Sequence, residues 1–166
     1  MTVEQHQLTG RLEVLAIREG FLIGGLAAIV MAIVAMIISA LTGHGFWTPV
    51  NAIGGFLSTA PTSQEFDGVT TVVGVAVQLL MGGLLGTLYA SAQARIDNPS
   101  MLIIAVWYGL IIWFVATFLV FSWLSPGFQE VMKSWSMFLA HLSFGPCLGL
   151  YAVSRNPYPA RHSKTY

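Results

Sequence analysis

The sequence predicts an all-α polytopic membrane protein, with four transmembrane helices arranged as two helix hairpins in a parallel repeat. Composition gives the class: 55% of the residues are hydrophobic and only 8% are charged, where a soluble domain carries about 25% charged residues. Mean hydropathy is +0.73. Four segments are long and apolar enough to cross a bilayer as helix, which takes roughly 20 residues, and a short pattern in the second returns in the fourth. In hydrocarbon every backbone polar group must be bonded internally, so helices carry the crossings. At 166 residues the chain reads as a single membrane domain, 1–166.

Residues 1–20 contain "QLTGRLEVLAIREG", which sets Leu8, Leu12 and Leu15 along one face and reads as a cytoplasmic interfacial helix. The first span, 21–41, is uncharged. Its apolar run is too long for a signal peptide and is preceded by Glu4, Glu13 and Glu19, so the segment is expected to be retained. Residues 42–68 form an outer loop in which Thr48 caps, and Pro49 opens, a short helix with Val50, Ile53, Phe56 and Leu57 on one side. That helix is expected to lie in the interface plane. The second span is 69–94, the third 101–123 and the fourth 131–153, with a tail at 154–166.

Orientation follows from the seven basic residues. Arg11 and Arg18 precede the first span, Arg95 links the second to the third, and Arg155, Arg161 and Lys164 follow the fourth. Only Lys133 falls on the other side. The positive-inside rule then makes both termini cytoplasmic. Trp47, Trp123 and Trp135 fall near the outer interface, while Tyr89, Trp107, Tyr108 and Tyr151 fall near the inner one, as aromatic belts do.

Gln78 to Gly86 reads "QLLMGGLLG" and His141 to Gly149 reads "HLSFGPCLG". Both carry [QH]-L-x-x-G-x-x-x-G at the same depth in the second helix of a hairpin, and a Trp-Pro loop precedes each. Two like-oriented hairpins suggest repeats related by an axis along the membrane normal.

Small residues recur every fourth position: Gly20, Gly24, Ala28, Ala32 and Ala40 in the first span, then Gly74, Gln78, Gly82, Gly86, Ala90 and Ala94 in the second. In the fourth, His141, Gly145 and Gly149 line up likewise. Helices in lipid gain nothing from hydrophobic burial against one another, so these read as seams of close backbone packing. The third span reads as lacking a seam and as the lipid-facing or partner-facing helix. Pro146 removes a backbone hydrogen bond to Leu142 and predicts a kink just past His141, with Ser143 placed to bond back.

His141 and Gln78 fall near mid-bilayer, where polar groups face the bundle interior and find partners. The spacing predicts a hydrogen bond between them. A neutral imidazole can also ligate a haem iron or a chlorophyll magnesium, so His141 is the one candidate cofactor ligand, although nothing in the sequence requires a cofactor. A bis-histidine haem is excluded, because His6, His44 and His162 lie outside the spans. His44, Glu65 and Asp67 match no metal spacing and read as a solvated loop. Cys147 allows no internal disulfide and reads as a small packing residue.

A glycine-rich first helix, "FWTP", "GGLLGTLYA", "WYGLIIWF" and "HLSFGPCLGLYA" together resemble a group of uncharacterised small bacterial four-helix inner-membrane proteins. The resemblance covers most of the chain and rests on packing residues. It implies the four-helix arrangement and assigns no activity, so His141 and Trp107 to Gly109 inherit no role from it.

Two functions are expected. One is a non-catalytic integral membrane subunit, surrounded by lipid and packed against a larger respiratory or photosynthetic complex. It fits a chain without a nucleophile and base, a carboxylate pair or a phosphate loop, and without the basic stripe that nucleic acid requires. The alternative is a small oligomeric transporter or channel with a polar interior at Gln78 and His141.

Overall fold

The computed structural model describes residues 3–58, 63–93, 101–124 and 134–155. It is all-helical there. Four of its helices are long and apolar enough to span a membrane: Ile17–Leu41, Gly68–Gln93, Met101–Val120 and Trp135–Val153. The ends of the predicted second and fourth spans, the basic residues Arg95 and Lys133, and the tail from residue 156 lie outside the described residues.

Helix α1 runs unbroken over Val3–Leu41. The predicted separate helix at 1–20 is therefore continuous with the first span. Neither Gly10 nor Gly20 stops it, since an isolated glycine costs a helix only about 1 kcal/mol and removes no hydrogen bond. Over 39 residues α1 is about 58 Å long, against a hydrocarbon thickness of about 30 Å. It ends in a Schellman turn: His44 N–H bonds Ser39 O at 2.9 Å and Gly43 N–H bonds Ala40 O at 3.1 Å. Gly43 takes the left-handed φ of 77° that this turn requires.

Helix α2, Thr48–Ser58, exists where the sequence places it, and one side of it packs against the rest of the chain. Val50, Asn51 and Ala52 are buried, and α2 lies along the start of α3, Gly68–Gln93. Two glycines allow this. A methyl group added at Gly54 would stand 1.8 Å from Thr70 O, and one at Gly74 would stand 2.0 Å from Val50 O. Gly74 thus serves α2, not the seam with α1. Thr48 does not cap α2 through its hydroxyl, which donates to His44 O.

The third span begins as α4, Met101–Phe114, widens into π-helical turns over Val115–Val120 and closes as α5, Phe121–Leu124. In the widened part Phe121 N–H bonds Ala116 O, five residues back. Helix α6, Ser134–Arg155, continues through Pro146. The Ser143 hydroxyl bonds Ala140 O at 2.6 Å, so it does not reach the Leu142 carbonyl freed by the proline.

The helices pair as the predicted hairpins, α1 with α3 and α4 with α6, and α1 joins the pairs by packing along α6. The core sits between the pairs: Ala27 and Ala28 of α1, Tyr89 of α3, Met101 and Ala105 of α4, and Phe144, Leu148 and Ala152 of α6.

Candidate functional site: the small-residue seams and the buried polar centre

The first seam joins α1 to α3. A methyl group on Gly24 would come within 2.1 Å of Gly82 O and 2.7 Å of Gly86 Cα, and one on Gly86 within 2.3 Å of Gly20 O. Gly82 faces the Ala28 methyl in the same way, and Gly20 faces Ala90. The backbones touch because nothing larger stands between them, the mode of contact that holds helices together in lipid.

The second seam joins α4 to α6 and overturns one expectation. The third span does carry small residues: Ala105 is fully buried, and a methyl added at Gly109 would lie 2.9 Å from His141 O. Gly145 fits against Ala105 O and Gly149 against the Ala105 methyl. An alanine and a glycine four residues apart complete a seam that aromatic and β-branched neighbours obscure in the sequence.

The two seams share one register. Gly24 sits between Gly82 and Gly86, as Ala105 sits between Gly145 and Gly149. Ala28 meets Gly82, as Gly109 meets Gly145. The repeated pattern therefore does the same task twice, packing the second helix of each hairpin onto the first.

Gln78 and His141 are not brought together. Gln78 Nε2 donates to Ala28 O at 3.4 Å, a long bond within its own hairpin. His141, only 6% exposed, has Nδ1 at 2.8 Å from Met137 O, one turn back on its own helix. The α3 and α6 helices carrying them scarcely meet; α1 packs along α6 instead. A carbonyl can only accept, so Nδ1 carries the proton and Nε2 the lone pair. That tautomer suits metal ligation through Nε2. Because the residue is buried, a haem or chlorophyll macrocycle would reach Nε2 only if the surrounding helices moved apart.

A polar cluster centred on Asn51 of α2, and including Glu65 from the segment expected to be a solvated loop, ties α2 to α3. Asn51 is fully buried. Its amide donates to Ser63 O at 3.0 Å and Glu65 O at 2.7 Å, and its carbonyl accepts from the Thr71 hydroxyl at 2.6 Å. Asp67 caps α3, accepting from Thr70 N–H at 2.8 Å and the Thr70 hydroxyl at 2.7 Å. These bonds hold its carboxyl below the usual carboxylate range. The available signal was an Asx followed three residues later by Thr at the mouth of a span. His44 turns elsewhere, its ring meeting the Thr42 hydroxyl, and among the described residues no three His, Cys, Asp or Glu side chains gather as a metal site would need.

At the opposite end of the bundle, Tyr151 donates to Glu19 Oε2 at 2.5 Å and joins α6 to α1. Tyr108 donates to Leu85 O at 2.7 Å and Tyr89 to Met101 O at 3.1 Å, with the two rings 5.4 Å apart between α4 and α3. Cys147 is half-buried beside the core. Near the π-helical turns, the buried Trp113 Nε1 has no hydrogen-bond partner. Comparison with protein-family models, with curated proteins and with solved structures finds no match to this chain.

Proposed function

We propose that this chain is a non-catalytic integral membrane subunit that packs in lipid against a larger respiratory or photosynthetic complex. In this reading it is multi-pass in a bacterial inner membrane, with both termini cytoplasmic. One observation carries the proposal. The third span is the least covered of the four, with 17% of its most apolar window buried, and its open face is a continuous stripe of Ile103, Trp107, Ile111, Phe114 and Phe118. Large, stiff aromatic side chains aligned on one helix face suit a partner helix, because they supply contact area at little entropic cost. Further support comes from the centre of the bundle. Gln78 and His141 bond to backbone within their own hairpins instead of facing a shared path.

The test is gentle solubilisation of native membranes and identification of whatever migrates with the 18.0 kDa chain. Comigration with a large complex, lost in Trp107→Ala/Ile111→Ala, is the expected result. Migration alone or as a small homo-oligomer overturns the proposal, and solute flux in vesicles that Gln78→Leu abolishes would put the transporter in its place.

A further inference from the structure

The shared register of the two hairpins allows their flanks to be compared position by position. Matching Gly82 and Gly86 with Gly145 and Gly149 makes Tyr89 of α3 the counterpart of Ala152 of α6. Matching Gly24 with Ala105, and Ala28 with Gly109, makes Tyr108 of α4 the counterpart of Ala27 of α1. A repeat with full symmetry would pack α3 on α4 as it packs α6 on α1. It does not: α1 packs along α6, while α3 and α4 barely approach each other. On the close flank the counterpart positions hold the buried alanines Ala27 and Ala152. On the wide flank they hold the two tyrosines, their rings tilted by 42° to one another and each bonded across the gap to a backbone carbonyl.

We propose that Tyr89 and Tyr108 form a built-in wedge that holds the α3–α4 flank open, and that this flank is poised to close as α1–α6 has closed. The argument is steric. Side chains of this size between helices set the distance at which the backbones stop, whereas alanine lets them meet. The hydroxyls fix where each ring lies, because a phenol buried in apolar surroundings takes an available carbonyl. Burial pressure and hydrogen bonding act together here, and two variants separate them. Tyr89→Phe/Tyr108→Phe keeps the volume and loses the bonds. Tyr89→Ala/Tyr108→Ala gives the wide flank the residues of the close one.

The measurement is oxidative cross-linking of Val77→Cys/Ile112→Cys, made in a Cys147→Ala background, with Ile112 about one turn from Tyr108 and Val77 about three turns from Tyr89, both towards the α2 end. Disulfides form only when Cα atoms come within about 7 Å. The expected result is slow cross-linking with the tyrosines present, equally slow cross-linking in the double-Phe protein and at least a tenfold faster reaction in the double-Ala protein. Equal rates in all three backgrounds overturn the wedge. Acceleration already complete in the double-Phe protein also overturns it, since the bonds and not the ring volume would then be holding the flank. A pair of cysteines at Ala27 and Ala152 on the α1–α6 flank is read in each background; loss of its native rate in the double-Ala protein shows that the tyrosines hold the whole bundle, and equally refutes a spacer confined to one flank.

Discussion

Gly24 and Gly25 are neighbours in sequence and opposites in packing, and substituting each with alanine tests the seam directly. At Gly24 the new methyl carbon would lie 2.1 Å from Gly82 O, where ordinary contact begins at 3.4 Å, so α1 and α3 must part locally by about 1.3 Å. Parting them also loosens Gly20 on Ala90 and Gly82 on Ala28. Overpacking of this kind costs about 1–3 kcal/mol, partly offset by the roughly 0.5–1 kcal/mol that alanine gains over glycine within a helix. At Gly25 the nearest atom to the new methyl is Leu79 O at 4.0 Å, so only the helix gain remains. The expected outcome is net destabilisation of about 1–2 kcal/mol for Gly24→Ala and stabilisation of up to about 1 kcal/mol for Gly25→Ala. Reversible unfolding in mixed micelles, followed by tryptophan fluorescence, reads both. Equal stability of the two variants would refute close backbone contact as the source of adhesion between α1 and α3.

Three other outcomes follow from the polar contacts. Asn51→Leu should destabilise by about 2–4 kcal/mol, because it leaves the Thr71 hydroxyl and two backbone carbonyls without their buried partner; chemical denaturation checks this, and a loss below about 0.5 kcal/mol would mean the cluster holds nothing. Gln78→Leu and His141→Leu should be additive to within about 0.5 kcal/mol, since the two side chains bond separate carbonyls; a larger coupling in the double-mutant cycle would restore the interhelical bond that the sequence suggests. Asp67 has its folded pKa lowered by Thr70, so its contribution is present above the unfolded value of about 4 and fades as pH falls through the lower folded value. Stability of the parent protein should therefore drop more between pH 5 and pH 3 than that of Asp67→Asn, as equilibrium unfolding across that range would report.

The spans were legible because apolar length in a chain with so few charges admits little else. Glycine spacing revealed the α1–α3 seam and half of the α4–α6 seam. It could not reveal Ala105 and Gly109, whose spacing is ordinary among the isoleucines and tryptophans of the third span. Nor could periodicity assign Gly74 to α2, since a four-residue step says which residues share a face and not which helix arrives there. The Gln78 to His141 bond failed for a related reason. Equal depth in two helices is no contact when α1 packs along α6 in place of α3, and each side chain then found a nearer carbonyl. The buried Asn51 cluster was hidden because its acceptors are backbone carbonyls, which leave no mark in a sequence.

The π-helical turns at Val115–Val120 also bear on how this chain tolerates changes in length. A π turn takes up one residue more than an α turn while leaving the helix on either side in phase. Removing a single residue there, Ala116 for example, should restore ordinary α-geometry and keep the faces of Met101–Phe114 and Phe121–Leu124 aligned. The same deletion at Ile104 would turn everything after it by about 100° and carry Gly109 off its seam. One stretch of the third span can thus shorten without repacking, while the remainder is locked to its register by Ala105 and Gly109.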